Sequence, residues 1–266
     1  MSETVASVSV VIPMFNSAAT IERALESVAS QSLLPQELVV VDDDSDDTSA
    51  SIVEQWSKSK IAVKLIKHSQ NLGPSASRNA GWDHATQKFV AFLDADDAWH
   101  PEKLRIQTQL MQRDPTIALI GHAYDIGEDT KWNDLSSNDF KMSTFSLSDF
   151  LIKNRLSTPT VMIRRELSNR FAPDQRYSED YRLWMEIISE HGSASFINLP
   201  LTRLFKSTYG DSGLSGNMRS MYRGELHAFS SIHRSHIIKR PIMILCMMWS
   251  TIKYCRRRFR LLMANK

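Results

Sequence analysis

Phe89-Val90-Ala91-Phe92-Leu93 runs without a polar residue straight into Asp94-Ala95-Asp96-Asp97. A run that does not alternate with polar residues reads as a strand buried on both faces. Carboxylates at the end of such a strand need partners, because unpaired buried charge is very costly. An acidic tip on a buried strand therefore calls for a bound cation or a cationic substrate.

Two further runs share this design. Val8 to Ile12 stops at Pro13, and Leu38 to Val41 enters Asp42-Asp43-Asp44-Ser45-Asp46-Asp47. Ile61 to Ile66 reads as another strand. Between them, residues 17–30 put Ile21, Leu25 and Val28 on one helical face, and helices are predicted over about 47–56 and 74–86. Strands alternating with helices indicate βαβ units and a parallel sheet. Ligands of such sheets sit beyond the carboxyl ends of the strands. Pro13-Met14-Phe15-Asn16 and the Asp42 and Asp94 clusters should therefore share one edge.

The second half reads less regularly. A helix is predicted over 101–113 and a strand over 117–123. Residues 126–146 read as a polar loop, followed by a short helix over 150–156 and a strand over 161–163. Ser178 to His191 is a helix with Gly192 as its stop. Ala194 to Phe205 reads as a pair of strands, 206–217 as a Gly-rich loop, and the remainder as helical.

Three constellations carry chemistry. Asp94, Asp96 and Asp97 suit a hard cation, Mg²⁺ or Mn²⁺, which accepts one or two carboxylates plus phosphates and water. A solvated turn capping the next helix is the structural alternative. The Asp42 run superficially matches a calcium loop, but Asp47 stands where the loop needs Gly and Val53 where it needs Glu, which excludes calcium. Its carboxylates could instead accept hydrogen bonds from a base or ribose, or cap a helix. Glu179 and Asp180 open a helix, where one could act as a general base or both could simply cap.

No G-x-G-x-x-G and no P-loop follows any strand, which argues against a dinucleotide dehydrogenase and a P-loop kinase. A diphosphate would then need a metal and a cation. Arg78 is the candidate cation, with an ordinary helix-surface position as its alternative.

The net charge of +2 hides an asymmetry. Residues 1–200 hold 19 Lys and Arg against 28 Asp and Glu, whereas residues 201–266 hold 13 against 2. A basic tail on an acidic body suits an anionic surface. Residues 239–263 place Ile242, Leu245, Trp249, Ile252, Phe259 and Leu262 at helical spacing beside Lys253, Arg256, Arg257, Arg258 and Arg260. The apolar stretch is too short to span a bilayer, which needs roughly twenty residues. The helix either lies on an anionic membrane or packs on the domain. No nucleic-acid partner is expected. Two cysteines exclude a disulfide framework and fit a reducing compartment, and no secretory signal is legible. Cytoplasmic location, with peripheral attachment to the inner face of the cell membrane, is expected.

Taken in order, Val10-Val11-Ile12-Pro13-Met14-Phe15-Asn16, Val40-Val41-Asp42-Asp43-Asp44-Ser45-Asp46-Asp47-Thr48, Asn71-Leu72-Gly73 with Ser77-Arg78-Asn79-Ala80-Gly81, Phe92-Leu93-Asp94-Ala95-Asp96-Asp97 and Glu179-Asp180 resemble the family 2 glycosyltransferases of the GT-A fold. The resemblance covers about residues 8–215, and extends more loosely to bacterial members that build lipopolysaccharide, capsule or exopolysaccharide. It implies an α/β fold with a Rossmann-like, mostly parallel sheet flanked by helices, and a helical C-terminal extension. The catalytic domain would be 1–215, with a nucleotide-sugar half over about 8–125 and an acceptor half over about 126–215; residues 216–266 would be a basic amphipathic extension.

The resemblance also assigns roles. Pro13 and Phe15 would line the nucleobase pocket and Asp43 would bind the base, with uracil implied. Arg78 would reach the nucleotide, Asp94 the ribose or donor sugar, and Asp96 the Mn²⁺ or Mg²⁺ that bridges the diphosphate. Asp180 would be the catalytic base. Residues 125–175 and the 206–217 loop are expected to select the acceptor, a glycan or a lipid-linked glycan. The family's second motif usually carries Gly where Asp44 stands, which puts the shape of that turn in doubt. The Gln-x-x-Arg-Trp motif of processive members is absent, which implies transfer of a single sugar, and one base with one in-line displacement implies inversion. A nucleotidyltransferase would show a Gly-rich basic loop after the first strand, and a non-catalytic assembly module would show a broken acidic set. This chain shows neither.

Overall fold

A computed structural model describes residues 5–56, 61–127, 129, 132, 140–205 and 216–264. The first half alternates as expected: β1 (Val5–Met14), α1 (Ile21–Ala29), β2 (Leu34–Asp42), α2 (Ser49–Trp56), β3 (Ala62–Lys67), α3 (Pro74–His84) and β4 (Phe89–Phe92). The second half contains β5 (Ala98–Trp99), α4 (Lys103–Arg113), β6 (Leu119–Ile126), β7 (Met142–Phe145), α5 (Leu147–Ile152), β8 (Met162–Arg164), α6 (Glu179–His191), β9 (Ala194–Leu204), α7 (Met218–Arg234) and α8 (Arg240–Ala264).

One sheet runs through the molecule in the order β3-β2-β1-β4-β8-β6-β9-β5, with β7 paired to β9. Strands β3, β2, β1 and β4 are mutually parallel, as are β6 and β9; the shorter β4–β8, β6–β8, β5–β9 and β7–β9 ladders are antiparallel. The chain leaves β1 for β2 and β3, then returns to β1's other side as β4. That reversal is the switch point at which open α/β sheets bind ligands.

The central strands are buried on both faces, and their alternation sorts the core. Val8, Val10, Ile12, Leu38, Val40, Phe89 and Ala91 pack on one side. Val11, Val39, Val41, Val90 and Phe92 pack on the other. Gly81 lets α3 lie close on β1: a Cβ there would sit 2.3 Å from Val11 Cγ1.

The region 126–146 is not purely loop, since β7 lies in it and pairs with Phe196 and its neighbours. The segment 194–205 is one strand rather than a pair. Its register against β6 slips around Pro200, so a residue that reads as a turn occupies an irregularity within a continuous ladder. The 206–217 loop falls almost wholly outside the described residues. Helix α7 is built into the core through Ala228, Phe229 and Ile232, with Phe229 edge-on to Tyr181 of α6 at 5.8 Å. Helix α8 lies against α5 and α7.

Candidate active site

The carboxyl ends of β1, β2 and β4 meet as the topology requires. Pro13 and Met14 pair with Val41 and Asp42, Asp43 N donates to Met14 O at 2.8 Å, and Leu93 N donates to Val11 O at 3.0 Å. Phe15 lies just past β1 with 47% of its surface exposed, an unusual degree for an aromatic ring at the end of a buried strand. Asn16 ties this loop to the next. Its amide donates to Ser45 Oγ at 2.9 Å, and its Oδ1 accepts from Asp46 N at 3.0 Å.

Asp44, where the family pattern has Gly, holds φ +66°. Asp is among the few residues with a side chain that tolerate the left-handed region, so the turn keeps the shape that Gly would allow.

Asp43 is buried, with three contacts to its carboxylate. Oδ1 lies 2.7 Å from His68 Nδ1 and accepts from Leu72 N at 3.0 Å; Oδ2 accepts from Gly73 N at 2.7 Å. These use three of roughly four acceptor positions on a carboxylate. Asp43 thus anchors the loop into α3, where Gly73 at φ +87° precedes Pro74.

Arg78 projects from α3 into the centre of the edge. Its Nη2 donates to Asp94 Oδ1 at 2.8 Å and its Nη1 to Glu179 Oε1 at 2.9 Å. Burial opposes its charge, yet Asp94 and Glu179 outweigh burial and hold the guanidinium protonated. Glu179 and Asp180 open α6 after Ser178, which takes a left-handed backbone at φ +57°. Gln175 steadies this turn by donating to the carbonyls of Tyr177, Ser178 and Gly224. Burial raises Glu179 to about 7 against the pull of Arg78. Asp180 is also raised by burial, although Tyr181 N donates to it at 2.7 Å and Asn154 Nδ2 at 3.4 Å. Its side chain reaches a cleft of about 510 Å³.

Asp94 and Asp96 follow β4 on one turn, both half-buried. Arg23 from α1 donates to the Asp96 carbonyl at 2.5 Å and lies over the Phe205 ring at 3.7 Å. Asp97 is buried and accepts from Phe205 N at 3.3 Å. It therefore ties the acidic turn to the end of β9; the N-cap of α4 is Glu102.

Residues 9–171 match the family described as Glycosyl transferase family 2. The chain belongs to that family. It is 30% identical over 184 residues to the Escherichia coli UDP-Glc:alpha-D-GlcNAc-diphosphoundecaprenol beta-1,3-glucosyltransferase WfgD, covering 69% of this chain and 70% of that one. It is 26% identical over 253 residues to the putative teichuronic acid biosynthesis glycosyltransferase TuaG of Bacillus subtilis, covering 94% of both. In fold it is similar to the mannosyltransferase PcManGT of Pyrobaculum calidifontis, determined with GDP-Man and Mn²⁺, with a TM-score of 0.65 at 19% identity over 93% of this chain and 74% of that one. The architecture is GT-A, and the protein is a glycosyltransferase.

In this glycosyltransferase Pro13, Phe15, Asp43, Arg78, Asp94, Asp96 and Asp180 converge on one edge of the sheet, from elements up to 167 positions apart. Among the described residues no three acidic, His or Cys side chains gather into a metal cage. Asp94 and Asp96 offer hard oxygen donors on one partly buried turn. That fits an Mg²⁺ or Mn²⁺ ion completing its shell with substrate phosphates and water.

His68 and Arg23 escaped the sequence reading as parts of this edge. The adjacency of two acids gave no sign that Glu179 turns towards Arg78 while Asp180 turns towards the cleft. Arg23 reads as the polar face of α1, and only the packing of α1 beside the acidic turn brings it to Asp96.

Proposed function

We propose that this enzyme inverts configuration while moving one sugar from a nucleotide-sugar, a UDP-sugar, to a hydroxyl of a lipid-linked glycan in bacterial cell-surface polysaccharide synthesis. The observation that carries the reading is the placement of Asp180: in an open cleft, one residue from Glu179, whose carboxylate joins Arg78 and Asp94 at the nucleotide edge. The UDP donor and diphosphate-lipid acceptor in the name of WfgD support the substrate classes.

Asp180 removes the acceptor hydroxyl proton, the oxygen attacks the anomeric carbon, and the bond to the diphosphate breaks. A carboxylate raised by burial is a stronger base near neutral pH. Phe15 would stack on the base, with Pro13 beside it. Asp43 would order the loop beneath the base and offer its remaining acceptor position. Asp94, oriented by Arg78, would meet ribose or sugar. Asp96 would hold the divalent ion, which when bound neutralises charge on the leaving diphosphate. Residues 8–125 would thus form the donor half.

Asp180→Asn should lower transfer by roughly 10²–10⁴-fold while UDP binding is kept; wild-type turnover would remove Asp180 from the role of base. Asp96→Ala should abolish the Mn²⁺-dependent part of UDP binding, read by calorimetry with and without Mn²⁺. A release assay over UDP-, GDP- and dTDP-sugars tests the donor.

We further propose a cytoplasmic enzyme whose α8 rests on the inner face of the membrane. Leu245, Met248 and Phe259 are 64%, 58% and 64% exposed, next to Arg256, Arg257, Arg258 and Arg260. Among the described residues no helix is long and apolar enough to cross a membrane. Leu245→Asp with Phe259→Asp should release the protein from vesicles containing phosphatidylglycerol in a sedimentation assay; unchanged sedimentation would reject the contact.

A further inference from the structure

The cleft that receives Asp180 is built in part by helices outside the expected catalytic boundary. Met218, Met221, Tyr222 and Glu225 of α7 and Ser250, Lys253, Tyr254 and Arg257 of α8 form one wall; Lys153, Asn154 and Arg155, after α5, form part of the other. Helix α8 is clamped there. Ser250 Oγ and Lys253 Nζ both donate to Glu225, at 2.8 and 2.5 Å. Trp249 Nε1 donates to Ile152 O at 3.1 Å. Tyr222 and Tyr254 stack at 4.6 Å.

The wall chemistry is one-sided. Lys153, Arg155, Lys253 and Arg257 face two carboxylates, Asp180 and Glu225, and Glu225 is already held by Lys253. Arg155 lies over the Phe145 ring at 4.9 Å, which leaves the edge of its planar guanidinium for forked hydrogen bonds to phosphate. A neutral glycan would require none of this charge. A sugar joined to a lipid through a diphosphate would require it, a short distance from the hydroxyl presented to the base.

We propose that this cleft is the acceptor site and that Arg155 and Arg257, with Lys153, recognise the diphosphate of a lipid-linked acceptor. The apolar outer face of α8 continues from the same helix, on the side where the lipid would leave. The proposal rests on the reading of Asp180 as the base. It makes α7 and α8 parts of the acceptor half.

The probe is farnesyl diphosphate, titrated by calorimetry into protein saturated with UDP and Mn²⁺ so that the nucleotide edge is filled. Arg155→Glu with Arg257→Glu should weaken binding by about tenfold or more, since two exposed attractions become repulsions. Arg155→Lys with Arg257→Lys, which keeps the charge and loses the forks, should fall between the wild type and the reversed variant, and farnesol should bind all three proteins alike. UDP binding in the reversed variant should be unchanged, which also reports that it folds. Equal farnesyl diphosphate affinity in the wild type and the reversed variant would overturn the proposal while leaving the donor reading intact. Failure of the wild type to bind UDP would instead overturn the donor reading.

Discussion

Two buried cations sit in different parts of the molecule and have opposite fates. Arg78 lies at the nucleotide edge between Asp94 and Glu179, which keep it charged. Lys103, at the start of α4, is 0% exposed and lies 3.5 Å from the centre of the Trp99 ring. Among the described residues its Nζ has no hydrogen-bond partner, and burial drives its pKa well below the ordinary 10.5. His122, across from it on β6, is lowered to about 3 by burial and by Lys103. Its Nε2 and the nearby Gln107 Oε1 and Thr108 Oγ1 also lack partners among the described residues.

Burial alone therefore does not decide charge in this protein. Partners do. Arginine cannot shed its proton, so a buried one must be paired, whereas lysine can become neutral. The first arrangement holds Asp94 and Glu179 in place. The second is a polar nest with unmet hydrogen-bonding capacity.

The largest expected effect on this contrast comes from Arg78→Ala. It strands Glu179 and Asp94 without their cation and should cost about 3–5 kcal/mol in chemical denaturation. Lys103→Met removes a buried, unpartnered ammonium whose charge burial opposes, and should stabilise by about 1–3 kcal/mol. If both variants shift the midpoint in the same direction, the two sites are not opposites.

The pH dependence of stability sharpens the point. Burial lowers the Lys103 pKa in the folded chain below its ordinary 10.5, so the native state should gain stability as pH rises towards 10.5. The Lys103→Met curve should lack that gain. Glu179 works the other way. The native state holds a proton between the ordinary 4.5 and about 7 that the unfolded chain has lost, so its contribution is present below 4.5 and lost as pH rises through about 7. Glu179→Gln should flatten that window in denaturation measured from pH 4 to 8. Smallest of all, Arg78→Lys keeps the charge but loses the fork that joins two carboxylates, and should cost about 1–2 kcal/mol.

The parallel half was legible because its strands are buried on both faces and its helices carry their apolar residues at one spacing. Periodicity reports that kind of burial directly. The mixed half was less so. Strand β5 has only two residues, and β7 is exposed over most of its length, so neither leaves an apolar pattern. Pro200 breaks the pattern of β9 without breaking the strand.

The site divides in the same way. Its acidic strand ends and Arg78 could be found in the chain, because strand order forces such ends to one edge. Their partnerships could not. Asp43 holding Gly73, Arg78 bridging Asp94 to Glu179, and Lys153 and Arg155 meeting Lys253 and Arg257 around Asp180 join segments far apart in the chain.

The basic tail shows the limit most plainly. Its composition permitted a membrane surface or a packed helix. The fold gave α8 two faces, one closed on Glu225 and Ile152 and one left apolar and exposed. Sequence alone determined which segments bury their backbone and where carboxylates must cluster, since these follow from local pattern and strand direction. Which carboxylate turns towards Arg78 and which towards the cleft was decided only by tertiary packing, because that choice depends on partners the chain brings from elsewhere.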